Sequence, residues 1–456
     1  MGEGRGDRID SQVSPRLLAG AAVALGVLLQ FTNGSVPPGL MSRAMAGLAV
    51  AVILTVAGSV VVTRGRIANE DGRTITRFLG VALLIQLALF FTKRPALFLP
   101  IDDRSWVLPF AIGLSIVAVA AWLAIGDWSR YGRWLIPAAV VVFVLLGGWI
   151  VRHTPDPGID VYTFQREGLR AISHGANPYA ITMPQVYGNP EYYGEGLVQN
   201  GQLLIGLPYP PLSLLLEWPV YLMAGDYRYA LLLALAGAAV LLARSTRSVS
   251  GSLAAILLLF TPRSYFVAEQ GWTEPFVVLA LAGVMYSAIR KPSWLPVALG
   301  LLFAMKQYAI FLAPIVFFLL PGFDWRRVIG VLAKAAAIAL AITLPFVLWS
   351  PNGFYRSVVL FQFLQPFRAD SLSYLAWFAR VSGSTPPVWV GFVMMFAAMI
   401  VMGLKAPRTA AGFAAGGALI LLAFFAFNKQ AFCNYYFVVV GALWCAVGAA
   451  RSTIAE

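Results

Sequence analysis

Long apolar stretches separated by short polar connections make up most of this chain. Several approach the roughly 20 residues that an α-helix needs to cross a bilayer. The pattern predicts an all-α polytopic membrane protein with about 12–14 transmembrane helices. The stretch 252–260 is too short to cross alone, so we expect a re-entrant or broken segment there. The fourteen stretches are 17–31, 44–62, 78–91, 107–125, 134–151, 209–224, 229–242, 252–260, 275–289, 295–320, 328–349, 388–404, 410–427 and 435–449.

The composition agrees with this interpretation. Of the 456 residues, 59% are hydrophobic and 12% are charged, whereas soluble domains carry roughly 25% charged residues. The net charge of +13 comes from basic residues dispersed over many short loops. That distribution is typical of membrane topology and argues against a nucleic-acid-binding surface. We therefore expect membrane lipids, and no nucleic acid, among the partners.

The basic loops orient the chain, because loops rich in Lys and Arg stay in the cytoplasm. Alternation through them places the amino terminus inside and residues 152–207 outside. Arg244 with Arg247, and Arg290 with Lys291, conflict with this scheme, because strict alternation leaves both pairs outside. The loops used for orientation are marked by Arg64, Arg66, Arg73 and Arg77, by Arg130 and Arg133, by Arg326 and Arg327, and by Lys405 and Arg408.

Two connections, 152–207 and 351–387, are much longer than the others, and both fall on the outer side. Long loops in compact proteins are usually functional. The first contains DVYTFQREGLRAISHG, which predicts a short amphipathic helix in the interface plane. The second contains YRSVVLFQFLQPFRADSLSYLAWFAR, which is also amphipathic and aromatic. We divide the chain into accessory helices 1–133, a core 134–320 and a C-terminal bundle 321–456.

Four ionisable side chains lie within or beside apolar stretches, where charge is costly and often functional. For Glu217 and Lys306, the alternatives are a functional cavity, a structural ion pair, or snorkelling toward an interface. For Glu269 and Glu274, which lie near Arg263, we favour a solvated loop over a functional role.

Asp160 stands at the start of the amphipathic helix and has two compatible roles. As an N-cap it would accept hydrogen bonds from free N–H groups, worth about 1 kcal/mol. As a partly desolvated carboxylate at the outer mouth, it would act as a general base toward a hydroxyl. Other chemistry is restricted, since His153 and His174 are the only histidines, too few for a multi-histidine metal centre. Cys433 and Cys445 lie about 18 Å apart on one predicted helix, too far for a disulfide.

Four short motifs follow one another along the chain: IDVYTFQREGLRAISHGANPY, PYPPLSLLLEWP, TPRSYFVAEQGWTEPF and AMKQYAIFLAP. This ordered series, within about 134–436, resembles the GT-C superfamily of glycosyltransferases, which use polyprenyl-phosphate sugars. It is similar to the GPI mannosyltransferase I type and to the actinobacterial polyprenol-phosphate-mannose mannosyltransferases. The resemblance implies a GT-C-like fold. It also implies inverting transfer of a sugar, with mannose favoured, from polyprenyl phosphate to a lipid or cell-envelope glycan acceptor.

The resemblance implies roles for individual residues as well. Asp160 corresponds to the catalytic acidic residue of the first outer loop. Gly158 stands where the family has a preceding acidic residue, which leaves divalent-metal dependence open. A departing phosphate needs cations. We therefore assign donor-phosphate binding to Lys306, Arg368, Lys429 and Tyr435, and substrate binding to Glu274, Tyr179, Tyr209 and Asn434.

These inferences predict a multi-pass enzyme of a bacterial plasma membrane, with an outward-facing active site and no cofactor. The alternative is a transporter or flippase of lipid-linked glycans, which would also need intramembrane charge such as Glu217 and Lys306. A transporter has little need of a long outer loop and more often shows internal repeats. A non-catalytic scaffold would leave the matched acidic and basic positions unexplained.

Overall fold

The structure is a computed structural model that describes residues 12–60, 72–100 and 102–450. It is 73% helical with almost no strand, so the all-α prediction is confirmed. Arg64 and Arg66 lie outside the described residues. Within the described part, seven helices are long and apolar enough to cross a membrane, and seven shorter apolar helices accompany them. The seven long ones are Pro15–Thr32, Pro38–Ser59, Gly72–Leu89, Val107–Gly126, Trp128–His153, Arg228–Thr246 and Trp325–Trp349.

The first half of the chain contains five long helices, a loop region and a second group of helices. The five are α1 (Pro15–Thr32), α2 (Met41–Ser59), α3 (Gly72–Leu89), α4 (Val107–Gly126) and α5 (Trp128–His153). The loop region holds α6 (Asp160–Ser173) and the strands β1 (Met183–Pro184), β2 (Val198–Gln199) and β3 (Gln202–Leu203), with β3 pairing antiparallel to both others. The second group is α7 (Pro211–Ala224), α8 (Arg228–Thr246), α9 (Val249–Leu259), α10 (Ser264–Glu269), α11 (Glu274–Arg290) and α12 (Leu295–Phe303).

The second half begins with a 3-10 helix, Gln307–Leu319, and α13 (Trp325–Trp349). The loop 351–387 then contains α14 (Pro351–Phe354), a π-helical segment (Tyr355–Leu360), α15 (Phe361–Leu364) and α16 (Tyr374–Ser382). Helices α17 (Val390–Lys405), α18 (Ala410–Ala426) and α19 (Cys433–Ala449) follow. Almost every residue of α19 is buried, because α1, α8, α9, α11 and α18 all pack against it.

The expected broken segment is present at 252–260. Helix α9 ends at Leu259, the chain turns through Pro262, and Arg263 has a positive φ of 75° before α10 begins. Because proline lacks the N–H that would continue the helix, two short helices replace one span.

The N-terminal helices are packed into the same bundle as the C-terminal ones. Helix α1 lies against α19, and the α1–α2 connection meets the second long loop through a β-bridge between Ser35 and Ser371. The N–H of Leu372 also donates to the carbonyl of Gly34 at 3.1 Å. The accessory role of 1–133 stays a prediction.

Helix α7 lies alongside α6 and does not cross the bundle, so the predicted span 209–224 is wrong. At its start, the Tyr179 hydroxyl donates to the carbonyl of Tyr209 at 2.8 Å. Just beyond its end, Tyr227 stacks on Tyr162 of α6 with ring centroids 5.6 Å apart. Midway, Trp218 donates to the Ser173 hydroxyl at the end of α6. Its 14 residues measure about 21 Å, short of the roughly 30 Å hydrocarbon core.

This placement removes the charge conflict noted in the sequence. Since α7 adds no crossing, α8 starts at the end of the bundle that carries Asp160, which we call the loop end. Arg228, at the start of α8, donates there to the carbonyl of Glu269. Arg244 and Arg247 therefore fall at the opposite end, where the Nε of Arg290 donates to the carbonyl of Ser245 at 2.7 Å.

The predicted span 295–320 is also wrong, because it is divided in two. Helix α12 ends at Phe303, and Lys306 has extended backbone angles, φ −148° and ψ 145°, before the 3-10 helix begins. The side chain of Gln307 donates at the loop end to the carbonyls of Pro208 and Val358. The 3-10 helix has 13 residues, and at about 2.0 Å per residue it extends roughly 26 Å. Lys306 thus lies at a turn and not within a helix.

Candidate functional site

Asp160 is the first residue of α6 and not its N-cap. Ile159 occupies the cap position with extended backbone angles and no side-chain hydrogen bond, so the predicted N-cap position is wrong by one residue, although the carboxylate does accept a free N–H group of the first turn. The Oδ1 atom of Asp160 instead accepts the N–H of Val161 at 2.8 Å and the hydroxyl of Tyr187 at 3.1 Å. Loss of hydration raises the pKa of Asp160 above its usual range, outweighing these bonds and the charge of Arg368.

Tyr187 is held rigidly in the connection between β1 and β2. Its ring stacks on Tyr193 with centroids 5.6 Å apart, and its carbonyl accepts the Gln185 amide at 2.6 Å. The Tyr193 hydroxyl accepts the N–H of Val186 at 3.2 Å, and burial together with the charge of Asp160 raises the pKa of Tyr193 to about 12. Sequence reasoning missed Tyr187, although the tyrosine-rich loop was a signal.

Arg368, from the second long loop, acts on Asp160 electrostatically. Its guanidinium forms two hydrogen bonds with Asp370, at 2.8 and 2.9 Å, and lies over the rings of Tyr192 and Phe432. Desolvation raises the pKa of Asp370, but Arg368 outweighs it and the pKa lies below its usual range. The serine Ser35 also donates to Asp370 at 3.0 Å. Asp370 and Ser35 were not identified from the sequence.

Lys429 is adjacent to Arg368, whose N–H donates to the carbonyl of Lys429 at 3.0 Å. The Lys429 ammonium donates to the carbonyls of Phe363 and Gln365, at 3.1 and 2.6 Å. Burial lowers the pKa of Lys429 below its usual range. The fold therefore joins the backbones of two predicted phosphate-binding residues.

The site also contains a buried ion pair, between Lys306 and Glu274. The Lys306 ammonium is 3.1 Å from Oε1 of Glu274, which also accepts the Asn434 amide at 3.0 Å. The ammonium lies 4.0 Å from the centroid of the Tyr209 ring. The predicted solvated loop at Glu274 is therefore wrong: the residue is fully buried at the start of α11. The partner of Lys306 is Glu274 and not Glu217.

Glu269 and Glu217 are both fully buried, in contrasting environments. The Glu269 carboxylate accepts the N–H groups of Leu97 and Phe98, at 2.5 and 2.7 Å, and so holds the α3–α4 connection. The solvated loop predicted for Glu269 is wrong. Both carboxylate oxygens of Glu217 lack a hydrogen-bond partner among the described residues.

Two tyrosines lie between Asp160 and the buried ion pair. Tyr209 is within electrostatic range of both Asp160 and Glu274, and so is Tyr435. Tyr209, Tyr435 and Asp160 each keep part of their surface accessible, and we call the region around these three residues the recess. Tyr179, by contrast, is buried and supports Tyr209 through the hydrogen bond to its carbonyl.

Another buried charge that sequence reasoning missed is Arg228. Its guanidinium pairs with Asp226 at 2.6 Å, donates to the carbonyls of Val151 and Glu269, and lies over the Tyr162 ring. These contacts join α5, α6, α8 and α10 at the loop end. We regard this arrangement as structural, since every contact is made within the fold.

The fold and the site together define a class: an all-α protein with helices able to cross a membrane, which carries at one end a partly exposed carboxylate, a guanidinium and an ammonium from segments joined through their backbones, and a buried ion pair. Within 12–60, 72–100 and 102–450, no group of three His, Cys, Asp or Glu side chains is placed to hold a metal ion. Comparison of the chain with protein-family models, with curated proteins and with solved structures gives no match.

Proposed function

We propose that this protein is a GT-C-type glycosyltransferase. It transfers a sugar, with mannose favoured, from a polyprenyl-phosphate donor to a lipid or cell-envelope glycan acceptor at the outer face of a bacterial plasma membrane. The observation that carries the proposal is the position of Asp160 at the start of α6, where the charge of Arg368 from the second long loop acts on its carboxylate, together with the backbone hydrogen bond that joins Arg368 to Lys429. The motif resemblance led to the same carboxylate from the sequence alone.

The chemistry requires a base for the acceptor and cations for the leaving group. The acceptor hydroxyl gives its proton to Oδ2 of Asp160, which makes no hydrogen bond to the described residues, while Oδ1 is held by Tyr187 and Val161. The acceptor oxygen then bonds to the anomeric carbon as the bond from that carbon to the phosphate oxygen breaks. The phosphate leaves with the electron pair, and Arg368 and Lys429 stabilise its charge. This single displacement inverts the anomeric centre.

The distribution of charge supports an outward-facing recess. Because α7 does not cross the bundle, Arg244, Arg247 and Arg290 lie at the end of the bundle opposite the loop end that carries Asp160. Arg130 and Arg133, at the start of α5, fall there as well, because α5 ends beside Arg228. The positive-inside rule would place that basic end in the cytoplasm and Asp160 outside.

Transfer by the purified, reconstituted full-length protein tests the proposal. A panel of radiolabelled polyprenyl-phosphate sugars is offered with membrane-lipid extract, and wild type is compared with Asp160→Asn. We expect transfer by wild type and at least a hundredfold loss in the variant, the scale of a general base. Asp156→Asn is the matched control, since Asp156 is an exposed neighbour paired with Arg166. Equal transfer by wild type and Asp160→Asn would exclude the assigned base.

A transporter or flippase of lipid-linked glycans is the second candidate, favoured by one observation. Glu217, on α7, is fully buried and neither of its carboxylate oxygens has a hydrogen-bond partner among the described residues, and buried ionisable groups of membrane proteins often mark substrate or proton pathways. Reconstitution into vesicles with a fluorescent lipid-linked glycan distinguishes the two. Translocation without any transfer product would favour this candidate.

A further inference from the structure

Two buried polar atoms beside the recess have no hydrogen-bond partner within 12–60, 72–100 and 102–450. They are Oε2 of Glu274 and the hydroxyl of Tyr308, on residues that are 0% and 8% exposed. Native proteins rarely leave buried polar atoms unpaired, because each one forfeits its hydrogen bonds to water. Two such atoms, on residues that share Lys306 and the segment 434–435 as neighbours, indicate a place for a polar ligand.

The surrounding contacts relate the two residues through shared neighbours, and we call this group of side chains the wall. Tyr308 follows Lys306 by two residues, and the Lys306 ammonium is 3.1 Å from the other oxygen of Glu274. The Tyr308 hydroxyl is within electrostatic range of Glu274, Tyr435 and Tyr209. The rings of Tyr308 and Tyr435 have centroids 6.3 Å apart. The wall therefore combines a carboxylate oxygen, a phenol hydroxyl and aromatic faces.

We propose that Glu274 and Tyr308 form a subsite for the hydroxyl groups of a neutral sugar ring, with Tyr209 and Tyr435 as its aromatic sides. This inference rests on the proposed function and specifies its substrate class. The free oxygen of Glu274 accepts a hydrogen bond from a sugar hydroxyl, and the Tyr308 hydroxyl donates one or accepts one.

The charges at the subsite select against acidic and amino sugars. Burial of a sugar carboxylate or a sugar ammonium beside the pair would add a third charge that has no partner of its own, and a buried unpaired charge is costly. Because Lys306 and Glu274 already neutralise each other, an uncharged ring leaves no net charge buried. The subsite is therefore specific for uncharged hydroxylated rings.

Tyr265 provides a matched comparison. Its hydroxyl is also buried without a hydrogen-bond partner among the described residues, but its ring packs among the rings of Phe90, Phe110 and Phe143. Removal of this hydroxyl should have no effect on a ligand in the recess. Tyr265→Phe thus controls for the loss of a buried phenol hydroxyl as such.

The experiment measures thermal unfolding of the full-length protein in detergent as methyl glycosides are titrated. The probes are methyl glycosides of neutral hexoses and of a hexuronic acid, applied to wild type, Tyr308→Phe and Tyr265→Phe. We expect neutral glycosides to stabilise wild type and the uronic acid not to. In Tyr308→Phe the apparent affinity should fall about five- to tenfold, the loss expected for one hydrogen bond, with unliganded stability unchanged. Tyr265→Phe should behave as wild type.

The subsite would be overturned if no neutral glycoside stabilised wild type, or if Tyr308→Phe and wild type responded alike. The transfer assay reports separately on the proposed function. Binding that depends on Tyr308, without transfer from any donor, would retain the subsite and reject the transferase. Sugar transfer by wild type, together with glycoside binding that is the same in wild type and Tyr308→Phe, would retain the transferase and reject the subsite.

Discussion

The Tyr187 hydroxyl donates a hydrogen bond to Oδ1 of Asp160 at 3.1 Å, across 27 residues of chain. The same hydroxyl accepts the N–H of Asp160 at 3.4 Å, so Tyr187 fixes both the side chain and the backbone at the start of α6. A hydrogen bond to the charged form of a carboxylate lowers its pKa. Tyr187 therefore opposes the desolvation that raises the pKa of Asp160.

Tyr187→Phe should shift the pH dependence of transfer. A base must be ionised to act, so the rate rises with pH through the pKa of Asp160 and falls below it. Loss of the Tyr187 bond raises that pKa further, so the acid limb should move to higher pH. On that limb the rate should fall about five- to tenfold, the scale of one hydrogen bond to a charged group.

Tyr192→Phe is the control for this shift, because it keeps the ring beneath Arg368 and leaves the Asp160 bonds intact. Its pH profile should match wild type. An unchanged acid limb in Tyr187→Phe would contradict the role of Tyr187 in tuning Asp160.

Lys306→Met should destabilise the protein strongly. Glu274 would stay buried with only the Asn434 amide as a partner, and removal of one member of a buried ion pair costs about 3–5 kcal/mol. The double variant Lys306→Met with Glu274→Gln should regain most of that loss, because no charge is then left buried. Thermal unfolding of the three proteins in detergent measures both effects, and a Lys306→Met variant as stable as wild type would refute the pair.

Glu217→Gln should leave stability unchanged or raise it by about 1 kcal/mol, since it removes a buried carboxylate that has no partner. Transfer should stay within about twofold of wild type, the range of a side chain that touches no substrate. A marked fall in the unfolding temperature would show that Glu217 has a partner. Loss of lipid-linked glycan translocation would favour the transport alternative.

Gly34→Ala should loosen the junction between the N-terminal helices and α19. Gly34 has a φ of +76°, and an added Cβ would lie 2.2 Å from the nitrogen of Cys433. Overpacking of this kind costs about 1–3 kcal/mol. Gly39→Ala, in the same connection, meets nothing within 4 Å and should have little effect on thermal unfolding. Equal stability of the two variants would contradict the close approach.

Apolar length and periodicity were sufficient for much of the architecture. Most of the helices, the interruption that follows the short stretch 252–260 and the helix that begins at Asp160 all follow from local properties: apolar runs, their length and an amphipathic pattern. Helix α7 was misread because an apolar helix in the interface plane and one across the membrane have similar composition. Only the contacts at its two ends, through Tyr209 and Tyr227, distinguish them.

The sequence by itself determined the class of fold, the two long loops and the candidate status of Asp160, because these depend on residues close together in the chain. Tertiary structure alone decided the partners. Glu274 meets Lys306 across 32 positions, Asp160 meets Tyr187, and Arg368 is fixed by Asp370 and, through Asp370, by Ser35. The sequence shows that a charged side chain in an apolar stretch needs a partner if it is buried. Which group supplies it depends on how helices distant in sequence pack, and apolar helices carry little information about that packing.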